Sequence, residues 1–419
     1  MMFDLDRWNE IMQTITRNRT RSILTAFGVF WGVFMLIMLT GGGGALEKFI
    51  KRNMDGVATN SCVIWSGRTS EAYKGFRKNR AWNINNRDVE IIQDRVKGFD
   101  AISPVLYGGW SVRDNNVVRG DKKGTFRVQG MNANYNKINR QKMMFGRYIN
   151  DIDVMENRKV CVIGTRVYET LFTAGEDPVG QSISVDGIYY KVAGVGNGSD
   201  NLSFNGDPRE TISIPFTTMQ QLYHFGDRID ALFATSQPNI AMSEVQQQIE
   251  TILKSNHSIA PNDRQAVTAF NLEMLFRQVD GLFLGVKILA WIVGLGTLFA
   301  GIIGVSNIMM VTVRERTQEI GVRRALGASP LSIMSQIMSE SFTITAIAGF
   351  LGISFGVLGL QMVDLGTGVG AGGAEGLFQI DFMLAAIAAL IIIMLGTFAG
   401  LGPAFRAMKI KPIEALSEE

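Results

Sequence analysis

The residue pattern most suggestive of covalent catalysis is "GISFG" at residues 352–356, which matches the G-x-S-x-G pattern of serine hydrolases. Those enzymes place the serine on a strand-to-helix turn within reach of a histidine. Here the pattern lies inside an uncharged apolar run, and His224 and His257 are distant in sequence. Small residues four apart allow close helix packing in membranes. We therefore interpret Gly352 and Gly356 as helix-packing residues, and the two histidines as ordinary surface residues.

The same spacing recurs in the first apolar segment, in "GVFWG", where Gly28 and Gly32 are four residues apart. Such pairs bring helix backbones close together, either within one chain or between two copies of it. We predict a helix-packing or dimer contact at these positions. No catalytic residue is predicted anywhere in the sequence.

The composition argues against a metal centre, a cofactor site and a nucleic-acid-binding surface. Cys62 and Cys161 are the only cysteines, too few for a four-ligand zinc site, and we predict that both are free buried thiols. A disulfide between them is the alternative if both face an oxidising compartment. The glycine run at residues 41–48 lacks the spacing of a phosphate-binding loop, so no ATP hydrolysis is predicted. A net charge of +3 provides no broad field for nucleic acid.

A charged segment, "RERTQEIGVRRALGAS" at residues 314–329, lies between two uncharged apolar runs. Its order predicts a helix over residues 314–326, because Glu319 precedes Arg323 by four residues, the favourable direction for an ion pair. A catalytic centre would need a base and a pocket, and nothing nearby in sequence provides them. We therefore predict that this segment is a docking element.

The end of this helix is predicted at Gly327, a natural helix terminator. Ser329 and Pro330 then suit the N-cap and first position of the next helix. The charged segment is thus predicted to end in a tight turn between two helices.

Four segments are long and apolar enough to cross a bilayer core, which needs about 20 residues of helix. Together with a large mixed α/β insertion between the first and the second, they define the predicted fold class, an α-helical membrane protein with an extracytoplasmic domain. The predicted boundaries are a cytoplasmic amphipathic helix at 1–21, spans at 22–46, 283–313, 329–363 and 382–405, the extracytoplasmic domain at 47–282, a cytoplasmic coupling helix at 314–328, an external loop at 364–381 and a cytoplasmic tail at 406–419.

Basic residues orient these spans. Arginine and lysine precede the first span, lie between the second and third, and follow the fourth, whereas residues 364–381 contain neither. The positive-inside rule then predicts cytoplasmic termini and an external domain at 47–282. The first apolar segment could instead be a cleaved secretory signal, but it is long enough to span, so we favour an uncleaved helix.

The external domain is predicted to mix helices and strands. "KVCVIG", "SISVDGIYYKVAGV" and "ETISIPF" are typical of strands, and Asp186-Gly187 predicts a hairpin turn between two of them. A helix in "NNRDVEIIQDRVKG" is predicted to end at Gly98, and Thr218 with Gln221 predicts a capping box at the start of another. The stretch before Lys287 is predicted to join the second span as one long helix.

The sequence resembles a known family, the MacB/FtsX-type permeases of ABC transporters. "SNIMMVTVRERTQEIGVRRALGAS" is similar to the segment around the family's second span, and "GRYINDIDVMENRKVCVIGTRVYETLF", "DPVGQSISVDGIYYKVAGV" and "ISIPFTTM" are similar to its MacB-type external domain. The ending "GPAFRAMKIKPIEALSEE" is also similar. The resemblance covers nearly the whole chain.

The resemblance implies a bacterial inner-membrane protein whose two copies, or a copy and a paralogue, pair and each engage a cytoplasmic ABC ATPase. ATP would bind that partner, so the chain itself would need no cofactor. ATP-driven motion would pass along long helices to the external domain, a process called mechanotransmission. MacB carries its ATPase at the N-terminus; only a short leader precedes the first span here, so a separate ATPase polypeptide is expected. The residues that the resemblance assigns to ATPase coupling are Arg314, Glu315, Arg316, Glu319, Arg323, Arg324 and Gly327.

Efflux is the function that the MacB-like external domain favours, with membrane lipids around the spans and a periplasmic adaptor and outer-membrane channel as further partners. Two other functions stay open within the family. One is the extraction of lipoproteins from the membrane. The other is FtsX-like signalling to a cell-wall hydrolase without transport.

Overall fold

The computed structural model of the chain describes residues 19–53, 56–107, 115–197, 206–367 and 382–410. Most of the predicted leader at 1–21, of the loop at 364–381 and of the tail at 406–419 lies outside these residues. The chain divides into two compact units, Met1–Phe49 with Gly281–Glu419, and Ile50–Asp280. We call them the helical unit and the external unit.

The helices are short in the external unit and long in the helical unit. In chain order they are α1 (Arg19–Asn53), α2 (Asn86–Arg95), α3 (Tyr135–Ile138), α4 (Asp151–Met155), α5 (Thr165–Leu171), α6 (Phe216–Leu222), α7 (Met242–Asn256), α8 (Leu272–Glu315), α9 (Thr317–Ala325), α10 (Pro330–Thr367) and α11 (Phe382–Met408).

The strands all belong to the external unit. In chain order they are β1 (Ser61–Ser66), β2 (Ile84–Asn85), β3 (Phe99–Val105), β4 (Asn115–Arg119), β5 (Lys122–Met131), β6 (Lys142–Gly146), β7 (Val160–Ile163), β8 (Ser182–Val185), β9 (Ile188–Asn197), β10 (Thr211–Pro215), β11 (Arg228–Ile229), β12 (Ala231–Ser236) and β13 (Val267–Asn271).

Four helices among the described residues are long and apolar enough to cross a membrane: α1, α8, α10 and α11. They form where the sequence has uncharged apolar runs, because a helix satisfies all its backbone hydrogen bonds without water. α8 has 44 residues. At ~1.5 Å per residue it is about 66 Å long, roughly twice a bilayer core. The prediction that the stretch before Lys287 joins the second span as one long helix is confirmed.

Buried aliphatic side chains from all four long helices form the core of the helical unit. α1 contributes one face, with Val29, Val33 and Ile37 almost fully buried. These residues recur at a spacing of four, which keeps them on one side of the helix. The other core residues include Leu298, Ile302 and Val305 of α8, Ile337 and Ala348 of α10, and Ala388 and Ile392 of α11.

The predicted single helix over residues 314–326 is wrong, because the chain breaks its helix at Arg316. α8 continues through Arg314 to Glu315, and α9 begins at Thr317. The Thr317 hydroxyl donates to the carbonyl oxygens of Val313, at 3.2 Å, and Arg314, at 2.8 Å. Threonine back-bonding of this kind competes with the backbone ladder and bends helices.

Two sheets build the external unit. One has four antiparallel strands in the order β13-β1-β12-β3, with α7 packed against it. The other has seven strands in the order β6-β9-β7-β10-β5-β4-β8, and β8 also pairs with β9. That last pairing closes six of the seven strands into a ring. The predicted mixed α/β insertion between the first and second spans is confirmed.

The predicted strands and hairpin of the external unit are found where the sequence placed them. β8 and β9 are joined at Asp186 and Gly187, whose φ angles are 48° and 86°. Two positive φ angles are the mark of a type I′ turn, which matches the twist of paired strands. The hairpin prediction is therefore confirmed.

Two helix boundaries in the external unit differ from prediction. α2 ends at Arg95 with Val96 as its extended C-cap, so Gly98 follows the helix without terminating it. α6 begins at Phe216, so Thr218 lies inside it, and its hydroxyl donates to the Arg158 carbonyl oxygen at 3.1 Å. The Thr218 hydroxyl therefore makes a tertiary hydrogen bond and does not cap the helix. The prediction of a capping box at Thr218 is wrong.

Candidate functional site

The candidate site is the turn region formed by the end of α8, by α9 and by the start of α10. Gly327 has a φ of 98°, a conformation that strongly favours glycine. The Ala328 N–H donates to the Arg323 carbonyl oxygen at 3.0 Å, which closes the last turn of α9. α10 then begins at Pro330, and the Ser332 N–H donates to Ser329 Oγ at 3.2 Å. The predicted helix end and the predicted N-cap are both confirmed.

Within α9, Arg323 pairs with Glu319 as the spacing predicts. Arg323 Nη2 lies 2.9 Å from Glu319 Oε1. Arg323 Nη1 also donates to Gln336 Oε1 on α10 at 2.9 Å. The ion pair is largely exposed and contributes only a few tenths of a kcal/mol to the free energy of unfolding. The contact with Gln336 has a different role, since it attaches α9 to α10.

Arg324 reaches the end of α11. Its Nη1 donates to the carbonyl oxygen of Met408 at 2.9 Å and also to that of Ile410. The last carbonyls of a helix have no partner within it and carry partial negative charge, so a cation there is stabilising. Arg324 therefore caps α11 from a position 84 residues earlier in the chain.

Arg316, at the break between α8 and α9, pairs with an acid inside the helical unit. Its Nη1 donates to Glu340 Oε1 on α10 at 3.2 Å. Glu340 is 3% exposed. Glu340 was not among the residues predicted from the sequence, although it is the one charged residue in the predicted span at 329–363. An ionisable residue inside a span is costly and points to function, and that signal could have identified it.

The predicted coupling residues therefore separate into two groups. Three arginines, Arg316, Arg323 and Arg324, contact α10 or the end of α11. The other four are exposed on the surface of the helical unit: Arg314, Glu315, Glu319 and Gly327. Their role in coupling stays a prediction.

Large apolar side chains are also exposed in this turn region. Leu326 is 84% exposed and Leu331 is 70% exposed, and Val322 is exposed as well. Val322 and Leu326 are four residues apart, on one face of the end of α9. We call Val322, Leu326 and Leu331 the apolar turn patch. These three residues were not predicted from the sequence, because the charges dominate the pattern of this segment.

The four predicted packing glycines lie where α1 contacts two other helices of the same chain. A Cβ at Gly28 would lie 3.2 Å from Gly301 Cα, and one at Gly32 would lie 3.0 Å from the Leu298 backbone nitrogen, both on α8. On the other side, a Cβ at Gly352 would lie 2.8 Å from the Phe30 carbonyl oxygen, and one at Gly356 would lie 2.6 Å from Ile37 Cγ2. "GISFG" lies inside helix α10, away from any strand-to-helix turn. A contact between two copies through these glycines stays a prediction.

Titratable clusters elsewhere have structural explanations. Asp88 is buried in α2, and its carboxylate lies 2.6 Å from His257 Nε2 and accepts a hydrogen bond from Asn256 at the end of α7. Burial by itself raises the pKa of Asp88, but the hydrogen bonds from His257, Asn256 and the Asn85 backbone outweigh it and lower the pKa. The Asp88–His257 pair therefore connects the start of α2 to the end of α7. His224 is exposed, as predicted. The surface prediction for His257 is wrong, because the centroid of its ring lies 4.6 Å from a ring centroid of Trp82.

Metal and thiol chemistry find no support in the part of the chain that the structure describes. Within it, no group of three or more His, Cys, Asp or Glu side chains could hold a metal ion. Cys62 and Cys161 are free and buried, on β1 and β7. Burial raises the pKa of both thiols far above their ordinary value, so both stay protonated.

Comparison with protein families matches both units. Residues 22–252 match the MacB-like periplasmic core domain, and residues 291–412 match the FtsX-like permease C-terminal domain. The first match alone covers more than half of the chain.

Bacterial relatives align along almost the whole chain. The macrolide export ATP-binding/permease protein MacB of Bdellovibrio bacteriovorus is 25% identical over 416 residues, which cover 99% of this chain and 62% of that protein. The protein of the same name from Chlorobaculum tepidum is 27% identical over 98% of this chain and 61% of its own length. The chain thus spans about three fifths of the length of these relatives.

Among solved structures, the periplasmic region of MacB from Actinobacillus actinomycetemcomitans aligns with a TM-score of 0.43 and 18% identity, over 54% of this chain and 96% of that one. The extracellular domain of the noncanonic ABC-type transporter YknZ aligns with a TM-score of 0.40 and 14% identity, over 51% of this chain and 100% of that one. With the two domain matches and the four apolar helices, the chain belongs to the MacB/FtsX-type family of ABC transporter permeases.

Proposed function

We propose that this permease passes the motion of a cytoplasmic ABC ATPase to its external unit, and that the motion drives export. The observation that carries the proposal is α8, one helix from Leu272 to Glu315 that contains residues of both units. A continuous helix transmits displacement along its axis, because every turn is hydrogen-bonded to the next. ATP binding and hydrolysis belong to the ATPase in this proposal, and export is supported by the names of the relatives.

The apolar turn patch is where we propose that the ATPase docks. The arginines of α9 make contacts within the helical unit, whereas Leu326 and Leu331 are exposed on the side that the positive-inside rule assigns to the cytoplasm. The centres of protein interfaces are depleted in charge and built on apolar anchors. Glu319, also exposed, would then lie at the rim of the contact.

We expect Leu326→Asp to weaken ATPase association at least about tenfold, because it places a charge in the apolar contact. Leu326→Met keeps an apolar side chain of similar size and is the matched control. The measurement is titration of the purified permease variants with the ATPase that co-purifies with the wild-type chain from its native membrane. Equal affinities for the two variants would contradict docking at this patch, and the absence of any co-purifying ATPase would contradict the proposed function.

The proposed orientation predicts which single cysteines an impermeant thiol reagent reaches in intact spheroplasts. Met155→Cys, at a position that is 80% exposed in the external unit, is expected to react. Gln318→Cys in α9 is expected to react only after lysis. The wild-type chain is a low-background control, because Cys62 and Cys161 are fully buried. Labelling of Gln318→Cys in intact spheroplasts would reverse the orientation.

A further inference from the structure

The Arg316–Glu340 ion pair lies at the junction of α8 and α9. Arg316 belongs to neither α8 nor α9, and its backbone angles are φ −101° and ψ 15°. On one side the Arg316 N–H donates to the Thr312 carbonyl oxygen at 3.1 Å; on the other the Ile320 N–H donates to the Arg316 carbonyl oxygen at 3.0 Å. Two helices therefore meet at one residue, and a force on α9 can bend this joint as well as move α8.

α10 holds both the joint and α9 on one face. Arg316 contacts Glu340, and Arg323 contacts Gln336, which precedes Glu340 by four residues, one helical turn. α10 thus contacts the joint through Glu340 and α9 through Gln336. The attachment at Glu340 is the buried one, with 5% of the Glu340 side chain exposed.

A buried carboxylate is costly unless a partner compensates it, and removing one partner of a buried pair leaves the other charge uncompensated. Glu340 therefore resists separation from Arg316 more strongly than an exposed acid would. The stretch that follows it, residues 341–363, is uncharged.

We propose that Glu340 is a positioning residue for energy coupling: it fixes the Arg316 joint to α10, so that displacement of α9 moves α8 and α10 together and is not lost as bending. This inference rests on the proposed function, in which an ATPase acts on α9. The Arg316–Glu340 pair then transmits the motion, and the apolar turn patch binds the ATPase.

The test measures transmission separately from docking. The full chain, with the ATPase that co-purifies with it, carries one spin label at Leu284 of α8, an exposed position away from the pair. The distance between the Leu284 labels of the two permease copies in the complex is measured without nucleotide and with ATP trapped on the ATPase. Glu340→Gln keeps the side-chain size and removes the charge. We expect it to reduce the nucleotide-dependent distance shift by at least half, while ATPase binding and ATP hydrolysis stay within twofold of wild type.

Three further variants exclude a merely structural effect. Arg316→Lys keeps a cation opposite Glu340 and is expected to retain more of the shift than Glu340→Gln. Ser335→Ala, at an exposed position on α10, is expected to keep all of it. Arg316→Gln with Glu340→Gln is expected to lose no more than Glu340→Gln alone, because residues that act as a pair are not additive.

The outcomes separate this inference from the proposed function. A wild-type shift that Glu340→Gln preserves in full, or losses that add in the double variant, would overturn the role of Glu340 and leave the proposed function standing. If the wild-type complex shows no nucleotide-dependent shift, the proposed function fails and this inference fails with it.

Discussion

Gly301→Leu is expected to disrupt the helical unit, whereas Gly304→Leu, nearly one turn further along α8, is expected to be tolerated. A Cβ at Gly301 would lie 2.8 Å from the carbonyl carbon and oxygen of Gly28 and 2.9 Å from the Val29 backbone nitrogen. These are backbone atoms of α1, so they cannot rotate away as a side chain could. Among the residues that the structure describes, no atom beyond the adjoining residues and backbone of α8 lies within 4 Å of a Cβ at Gly304.

The size of the effect follows from the number of contacts that must separate. Overpacking a core typically costs about 1–3 kcal/mol, and we expect the upper end or more for Gly301→Leu, because α1 and α8 must move apart along their whole crossing. Gly304→Leu instead exchanges a poor helix former for a good one. The measurement is the melting temperature and the yield of monodisperse protein in detergent. Similar melting temperatures for the two variants would refute the close crossing at Gly28 and Gly301.

Arg324→Glu is expected to destabilise the helical unit far more than Arg323→Glu, although the two arginines are adjacent. Arg324 donates to the Met408 and Ile410 carbonyl oxygens at the end of α11. Hydrogen bonds that involve a charged group contribute about 1.5–3 kcal/mol, and an acid beside the negative end of a helix adds repulsion. Arg323→Glu breaks an exposed pair with Glu319, which costs a few tenths of a kcal/mol. It also removes one hydrogen bond to Gln336, but both side chains are partly exposed, so water can replace that bond.

Two measurements on the purified full chain check this contrast. The melting temperature is expected to fall clearly for Arg324→Glu and only slightly for Arg323→Glu. Amide hydrogen exchange in α11 near Ala404 and Ala407, both fully buried, is expected to rise only for Arg324→Glu. If Arg324→Glu leaves stability and exchange unchanged but abolishes ATPase binding, Arg324 faces the partner and does not cap α11.

Features that depend on neighbours in sequence could be predicted from the sequence. The four long helices follow from uncharged apolar runs, because a chain in lipid must satisfy its own backbone. The Glu319–Arg323 pair, the left-handed Gly327 and the start of α10 at Pro330 each depend on residues within one helical turn. The Asp186-Gly187 turn is local in the same sense.

Local patterns failed where a polar side chain bonded to a group that the pattern did not predict. The Thr317 hydroxyl bonds back to the Val313 and Arg314 carbonyl oxygens of α8, next to the break in the predicted helix at Arg316. The Thr218 hydroxyl bonds to Arg158, 60 residues earlier, so it caps nothing. His257, which looked like a surface residue, pairs with Asp88 across 169 residues. A polar side chain has several partners available in a folded chain, and spacing alone does not choose among them.

The sequence by itself determined the four spans, the insertion between the first two, and the position of the charged segment between two of them. Only the tertiary structure decided that Arg316 and Arg324 are held by Glu340 and by the end of α11, and that Gly28 meets Gly301. The physical reason is the range of the interactions. Helix formation and tight turns depend on dihedral preferences and hydrogen bonds within a few residues, whereas these contacts join residues 24 to 273 positions apart, which only packing brings together.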